Sequence, residues 1–415
     1  MNALDIAIVG AGTAGTAAGL LLARDGHKVT LYERVDDPKP VGAGIVLQPT
    51  GQAVLQQLGL FAPILEHGAR IDRLRCVRDK GRTVVRLDYS PVGPDLFGLG
   101  LHRGVLFQTL LDAAKAQAGL ELRCGLDIVA PHPTMDGIAL RTADGERLGP
   151  HELVIVADGA RSTLRANSGL RYREDPYPWG ALWHVTDDCD EVYAGELFQT
   201  VRGTGIMLGL LPTGRGPTPG SPPQVSLFWS LRADRLEAFR AGGFDEWKQQ
   251  VLSFDPRAAF VLEPLKDPRD LLFAHYRHVQ MPQWHGDRIV LLGDAAHAMS
   301  PQLGQGCNLA LVDAAVLAHE LAKAEHLPRA LASYTRERRA HLTYYMRATR
   351  WLTPFFQSSH GWLGTLRDLG MPLAAKIPWI RHKMFQSMAG NVRGVVRRPL
   401  PLTSLARRPA LGPGD

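Results

Sequence analysis

What the chain is short of narrows the field first. Cysteine occurs four times in 415 residues, at Cys76, Cys124, Cys189 and Cys307, and never as a CxxC pair. That spacing offers neither a disulfide framework nor a zinc site, so the thiols are read as reduced in a cytoplasmic protein. No apolar run approaches the ~18 residues that a membrane-spanning helix needs. The opening MNALDIAIVG lacks a basic segment and a cleavage site, so it is read as the entry to a strand and not as a leader. Hydrophobic residues at 45% and charged residues at 21% argue against disorder. The formal net charge of +6 is concentrated at the end, where nine Lys/Arg face two Asp/Glu after Arg350. A basic tail on a near-neutral body is not a nucleic-acid footprint, so no nucleic-acid partner is expected.

What is present begins at residue 4. LDIAIV reads as a strand, Gly10-Ala11-Gly12-Thr13-Ala14-Gly15 as a GxGxxG turn, and TAAGLLLARDG as an amphipathic helix ending at Gly26. A second strand, KVTLYER, carries Glu33 and Arg34 at its end. Gly10 permits a tight turn, Gly12 lets backbone approach a pyrophosphate, and Gly15 lets helix and strand pack closely. The helix start offers free N–H groups to an anion, and Glu33 is placed to accept from ribose hydroxyls. An acidic residue there also argues against a 2′-phosphate in this site. Alone the glycines could be a plain turn; with both strands and the helix in register they read as a dinucleotide fingerprint.

No second GxGxxG follows a strand, and GLGLHRG at residues 98–104 has the wrong spacing. Two other strand-to-loop segments stand out instead. ELVIVADGARSTLR runs into Asp158-Gly159, with Arg161 and Arg165 behind it. RIVLLGDAAHAMSPQLGQGCN runs into Gly293-Asp294, then a glycine-rich loop from Pro301 to Asn308. In that order the GxGxxG with Glu33, the DG segment and the GD segment resemble the three motifs of single-component (class A) FAD-dependent monooxygenases with the para-hydroxybenzoate-hydroxylase-like fold. The resemblance spans about residues 4 to 345.

The resemblance implies an α/β protein in which a Rossmann-type FAD-binding domain is interleaved with an antiparallel-sheet substrate domain, plus a helical C-terminal region. Residues 1–75, 100–178 and 278–345 are assigned to the first, 76–99 and 179–277 to the second, and 346–415 to the helical segment with a disordered basic tail. It implies FAD as cofactor and NADH or NADPH as transient reductant. Asp294 is expected on the ribityl chain, although alone it could be a helix N-cap. Pro301, Gly304, Gln305, Gly306, Cys307 and Asn308 are expected beside the flavin ring, with a helix beginning near Asn308. Arg103, before the apolar stripe Leu106, Leu110 and Leu111, is expected on FAD, and Gly44 close to the flavin in the loop from Gly42. Gln48 follows, with surface polarity as the alternative. Asp158 is expected to be structural. Arg161 and Arg165 are read as phosphate contacts or as a solvated helix start, and His297 as a structural hydrogen-bonding partner.

Between the DG and GD segments, residues 181–187, 204–212 and 224–232 read as strands of the substrate sheet, with a Pro/Gly-rich tip at 212–223. Alternation puts Trp183 with Ala181 and Val185 on one face and His184 on the other. Trp183 and Phe228 are candidates for an aromatic substrate pocket, or are plain core. His184, where many relatives carry arginine, is the candidate for deprotonating or positioning the substrate, or a satisfied histidine. No metal ligand set is present. The function implied is NAD(P)H- and O2-dependent hydroxylation of a small aromatic or heteroaromatic molecule through a flavin C4a-hydroperoxide. The alternatives are a flavin reductase or dehydrogenase on a lipophilic, isoprenoid or quinone-like substrate, and a non-catalytic flavoprotein. After Trp351, aromatic and leucine residues mix with Arg367, Lys376, Arg381 and Lys383. They either pack on the body or make peripheral contact with the inner face of an anionic membrane.

Overall fold

The computed structural model describes residues 2–40, 42–79, 81–394 and 400–406. Five parallel strands form the first layer, in the spatial order Ile289–Leu291, Leu153–Val156, Asp5–Val9, Lys28–Tyr32 and Leu120–Arg123. Ile6, Ile8, Leu31, Val154 and Val156 are all buried, the near-continuous apolar reading of a parallel sheet covered on both faces. Thr13–Arg24 packs between Arg103–Ala116 and Gly306–Lys323. A three-stranded antiparallel sheet, Ile128–Pro133, Ile138–Thr142 and Arg147–His151, contributes Leu140 and Leu148 to the same core. The winding reverses between Asp5–Val9 and Leu153–Val156, so a ligand crevice opens at their carboxyl ends.

The second layer is a nine-stranded sheet. Its path runs Leu272–Gln280, Arg173–Asp187, Pro223–Arg232, Ile206–Arg215, Gly195–Arg202, Ala69–Arg78, Gly98–His102 and Gly44–Leu47, with Thr83–Asp88 paired to Ala69–Arg78. The expected antiparallel pattern holds except where Gly195–Arg202 runs parallel to Ala69–Arg78. Residues 44–47, 69–75 and 100–102, given to the nucleotide lobe by sequence order, are hydrogen-bonded into this sheet. Lobe membership follows cross-strand hydrogen bonds, which sequence order does not reveal. The Pro/Gly segment forms the ends of two strands and a short tip, because Pro212–Arg215 still pairs with 223–225.

One face of the large sheet is covered by Leu236–Ala241, Phe244–Phe254 and Ala259–Leu262, helices for which the sequence reading has no counterpart. Phe254 stacks on Trp229 and Trp247 meets it edge-on there, and burying each aromatic stabilises by about 2–3 kcal/mol. The other face receives the C-terminal helices Leu327–Phe356, Gly361–Ala374 and Pro378–Ala389. Phe355, Phe356, Met371 and Met384 pack around Phe228 and Met207. Packing on the body is therefore met by these residues, while a second set faces outward. Trp351, Trp362, Leu366, Leu369, Leu373, Ile377 and Trp379 stay between 50% and 76% exposed. The expected disorder of the last residues is overturned for Leu402–Ala406, which is helical because Leu405 joins the core beside Pro49–Gln57; residues 395–399 and 407–415 lie outside the described residues.

Candidate functional site

The crevice is built by glycines with distinguishable jobs. Gly10 has φ +104°, and a Cβ there would lie 2.5 Å from the Ala157 carbonyl oxygen. A Cβ on Gly15 would lie 2.0 Å from the Gly10 carbonyl oxygen. Turn and close packing thus forbid side chains at both. Gly12 is different: its Cβ position has nothing within 4 Å, and it opens the helix Thr13–Arg24 without a side-chain cap. Ala14 is buried and Thr13 half-buried on that first turn. A helix start with free amides beneath open space suits a pyrophosphate.

Glu33 braces this turn. Its Oε2 accepts from the Ala11 N–H at 2.9 Å and its Oε1 from the Val35 N–H at 3.0 Å. Each oxygen keeps a lone pair for a ligand hydroxyl, so the ribose expectation stands beside a bracing role. Arg34 is exposed. Asp158 follows the neighbouring strand, and its Cα is 2.9 Å from where a Gly10 Cβ would be. Its Oδ2 accepts from the Leu164 N–H at 3.5 Å, while its Oδ1 is buried without a partner among the described residues. Burial raises its pKa. An orphaned buried acceptor beside an open, uncapped helix start fits a dinucleotide rich in hydroxyl donors. Arg161 is exposed, but Arg165 is neither a solvated helix start nor free for phosphate. It is 1% exposed, donates to the Ala295 and Ala160 carbonyls at 3.0 Å, and pairs with Glu174.

Across the crevice, Asp294 presents an exposed carboxylate 3.8 Å from the Cβ position of Gly306. The N-cap reading fails: Gly293 caps the short turn Asp294–His297, and no side chain caps it. The following helix starts at Gly306, two residues before the expected Asn308, again without a side-chain cap. Pro301 starts a 3-10 turn that Gly304 ends at φ +59°. Cys307 has Thr13, Arg103 and Asp294 around its thiol, which burial pushes up to about 12. Glycine helix, GD turn and Arg103 therefore converge. Arg103 is exposed, its Cδ packed 3.1 Å from a Cβ position on Gly42.

Two residues expected beside the ring have their side chains committed elsewhere, and Gly44 is bare for a packing reason. Asn308 is wholly buried; its Oδ1 accepts from the Gln48 N–H at 2.8 Å and its Nδ2 donates to the Val46 and Gly304 carbonyls. It staples two loops together. Gln305 donates to the Ser387 and Met388 carbonyls, tying the loop to the last long helix. Gly44 is bare because a Cβ would lie 2.2 Å from Thr213 Cγ2, and its N–H donates to Ser226 Oγ. Gln48 is not surface polarity either, since it is buried and accepts from Tyr89 Oη at 2.6 Å.

Beneath the loop lies a buried polar chain that sequence reading misses. His297 Nε2 donates to Asp313 Oδ2 at 2.6 Å, and Arg338 Nε to Asp313 Oδ1 at 2.7 Å. Arg338 Nη1 donates to His341 Nδ1 at 2.5 Å, and His341 Nε2 to the Gly390 carbonyl at 2.7 Å. His297 takes the structural role expected of it. The histidine and guanidinium charges hold the Asp313 carboxyl down to about 2 despite burial. A lone acid within LALVDAAVLA is the sequence signal that marks it.

The substrate face comes from strand register. Trp183 pairs with Phe228, and Phe228 with Gly209, which leaves room for the ring: a Cβ on Gly209 would lie 1.9 Å from Phe228 Cζ. The Trp183 and Phe228 rings are 5.2 Å apart. Trp183 Nε1 donates to Tyr276 Oη at 3.4 Å, and Arg103 acts electrostatically on that phenol. Ser226, two residues from Phe228, meets Gly44, so this face looks toward the nucleotide crevice. Tyr276 is absent from the sequence-based candidates; its place on the strand LFAHYRHVQ was the available signal. His184 is not brought here. It pairs with Leu227 on the opposite face, under the covering helices, with Asp270 as its nearby charge and Nε2 buried without a partner among the described residues.

A family model described as an FAD-binding domain matches residues 3–349. The chain is 27% identical over 410 residues to aurachin C monooxygenase/isomerase of Stigmatella aurantiaca, covering 97% of this chain and 99% of that one. It is 28% identical to 2-heptyl-3-hydroxy-4(1H)-quinolone synthase of Pseudomonas aeruginosa, covering 76% and 80%. The crystal structure of PqsL, described as a probable FAD-dependent monooxygenase from Pseudomonas aeruginosa, superposes with a TM-score of 0.75 at 24% identity, covering 89% and 99%. The geometry of the crevice and these relationships lead to one assignment: the chain belongs to the FAD-binding-domain family, among its FAD-dependent monooxygenases.

Proposed function

We propose that the protein uses NADH or NADPH and O2 to hydroxylate a small aromatic or heteroaromatic molecule held between the flavin crevice and the large sheet. The observation that carries this reading is the face formed by Trp183, Phe228 and Tyr276 opposite Arg103. FAD, when bound, would take electrons from the reductant and deliver one oxygen atom to the ring. The chain's residues do the rest. Glu33 and Asp294 would hold the two sugar portions, and the free amides after Gly12 the pyrophosphate. The uncapped helix start at Gly306 would stabilise negative charge on the reduced ring. Trp183 and Phe228 exclude water and orient the substrate. Tyr276 accepts from Trp183, which leaves its own proton for a substrate oxygen; burial raises its pKa and keeps that proton on at neutral pH. Met371 and Met384 behind Phe228 give an adaptable apolar wall, in keeping with a relative named for making a heptyl-substituted quinolone.

The test is a panel of aromatic compounds screened for stimulated NAD(P)H consumption under ¹⁸O2. A substrate that triggers consumption and returns labelled product is expected. Turnover without label would replace this reading with the reductase alternative.

The exposed apolar row also supports peripheral contact with an anionic bilayer. Trp362, Leu366, Leu369 and Leu373 follow one another on a single helix face, flanked by Trp351 and Trp379. Lys376 and Arg381 stand exposed beside them and supply charge complementarity. No helix among the described residues is long and apolar enough to cross a membrane. The protein is expected to sediment with phosphatidylglycerol vesicles and Trp362→Ser/Leu366→Ser to stay in solution. A dimer dispersed by the same double variant, with no vesicle binding, would assign the row to a second copy.

A further inference from the structure

A cavity of about 540 Å³ lies where the start of Arg173–Asp187, the end of Leu272–Gln280 and the middle of Leu327–Phe356 meet. Arg171, Arg173, Arg339, Arg347 and Arg350 line it, and no carboxylate does. Arg173 pairs with Asp175 at 2.8 Å, and Arg339 donates to the Pro282 carbonyl at 2.9 Å. Arg171, Arg347 and Arg350 have neither a carboxylate nor a hydrogen-bond partner among the described residues. Arg339, Arg347 and Arg350 share one side of one helix, so their charges repel, and among the described residues neither Arg347 nor Arg350 is paired with a carboxylate. Tyr172, 41% exposed at the rim, offers a flat surface for a base, and Met281 and Met346 an apolar floor.

Both walls abut the flavin-holding segments. The Arg165 guanidinium lies 5.4 Å from the Tyr172 ring centre and donates to the Ala295 carbonyl, next to Asp294. On the other side Arg350 acts on His278, whose ring packs edge-on to Tyr177 at 5.1 Å. Tyr177 and Gln302 both donate to Gln357 Oε1 at 2.6 Å, which reaches the turn from Pro301 to Leu303.

We propose that this cavity binds the phosphates of the nicotinamide dinucleotide that reduces the flavin, and selects the 2′-phosphorylated form. The inference rests on the hydroxylase reading, which needs such a reductant. The chain's one GxGxxG serves the flavin dinucleotide, and Glu33 there disfavours a 2′-phosphate, so the reductant docks elsewhere. Guanidinium forks match phosphate oxygens in pairs, and three uncompensated arginines suit more charge than a pyrophosphate alone carries.

Calorimetric titration of the flavin-loaded protein with 2′,5′-ADP and with ADP tests it directly. The wild type is expected to bind 2′,5′-ADP at least about tenfold tighter than ADP. Arg347→Ala/Arg350→Ala is expected to lose about tenfold or more of that affinity, with flavin content unchanged, while Arg347→Lys/Arg350→Lys keeps most of it. In turnover the alanine variant should raise KM for NADPH with kcat little changed. Equal 2′,5′-ADP affinity in wild type and alanine variant overturns the site; equal affinity for ADP and 2′,5′-ADP overturns the selection. Loss of phosphatidylglycerol-vesicle binding with 2′,5′-ADP binding intact would assign the arginines to lipid and also overturn it. Intact 2′,5′-ADP binding without any aromatic-stimulated NADPH oxidation would count against the hydroxylase reading and leave the site standing.

Discussion

Acidification probes the buried chain that links the flavin loop to the C-terminal helices. His341 is wedged between a donor-only guanidinium at Nδ1 and an acceptor-only carbonyl at Nε2. One neutral tautomer satisfies both, and a proton at Nδ1 would face Arg338. Burial first, and the Arg338 charge second, lower its pKa to about 3. A histidine in the unfolded chain titrates near 6.5, so between about pH 6.5 and 3 the unfolded state holds one more proton than the folded state. Stability contributed by this group is complete above pH 6.5 and falls as pH drops. Each pH unit is worth about 1.4 kcal/mol, so going from pH 7.5 to 5.0 costs about 2 kcal/mol from His341 alone. That figure is set by the unfolded histidine, since any native value below about 4 gives nearly the same loss at pH 5. Asp313 acts in a separate window: its pKa is depressed to about 2, so its contribution is present above about pH 4 and lost only below it. Urea unfolding at pH 7.5 and 5.0 with saturating FAD, for wild type and His341→Gln, isolates the term from the other histidines. The wild type is expected to lose about 2 kcal/mol more than the variant. Equal losses in the two proteins would refute the reasoning.

Three substitutions extend the test to other parts of the structure. Asp294→Ala removes the exposed carboxylate beside Gly306; a charged hydrogen bond is worth about 1.5–3 kcal/mol, so the protein should purify largely colourless, and full absorbance at the flavin band would contradict the role. Glu33→Ala loses bonds to two backbone amides as well as any to ribose; FAD affinity should fall by about tenfold or more, and an unchanged dissociation constant would remove the assignment. Arg367→Met strips a buried guanidinium that donates to the Gly203 and Phe355 carbonyls and to Asp368; about 3 kcal/mol of stability should be lost, with faster proteolysis within Gly361–Ala374, and wild-type melting would count against it.

Much of the nucleotide crevice was legible in the amino-acid order because its constraints are local. Gly10, Gly12 and Gly15 act within one turn and the helix that follows, and Glu33 closes the same strand–helix–strand unit. The alternation that separated His184 from Trp183 is equally local, and the strand register keeps that separation. Motif order singled out Asp158 and Asp294, and only the parallel sheet shows that they follow two adjacent strands and so flank one crevice.

What the tertiary structure alone decided depends on partners distant in the chain. Asn308 reads as a flavin-loop residue, and only the fold shows its side chain taken up by the Gln48 N–H, 260 positions away. Arg165 reads as a free cation until Glu174 and the Ala295 carbonyl bury it. The two faces of the C-terminal helices look alike in sequence, yet one packs Met371 and Met384 on Phe228 while the other leaves Trp362 and Leu373 in solvent. Backbone conformation is written into neighbouring residues, whereas burial and charge compensation belong to whichever groups the fold brings opposite one another.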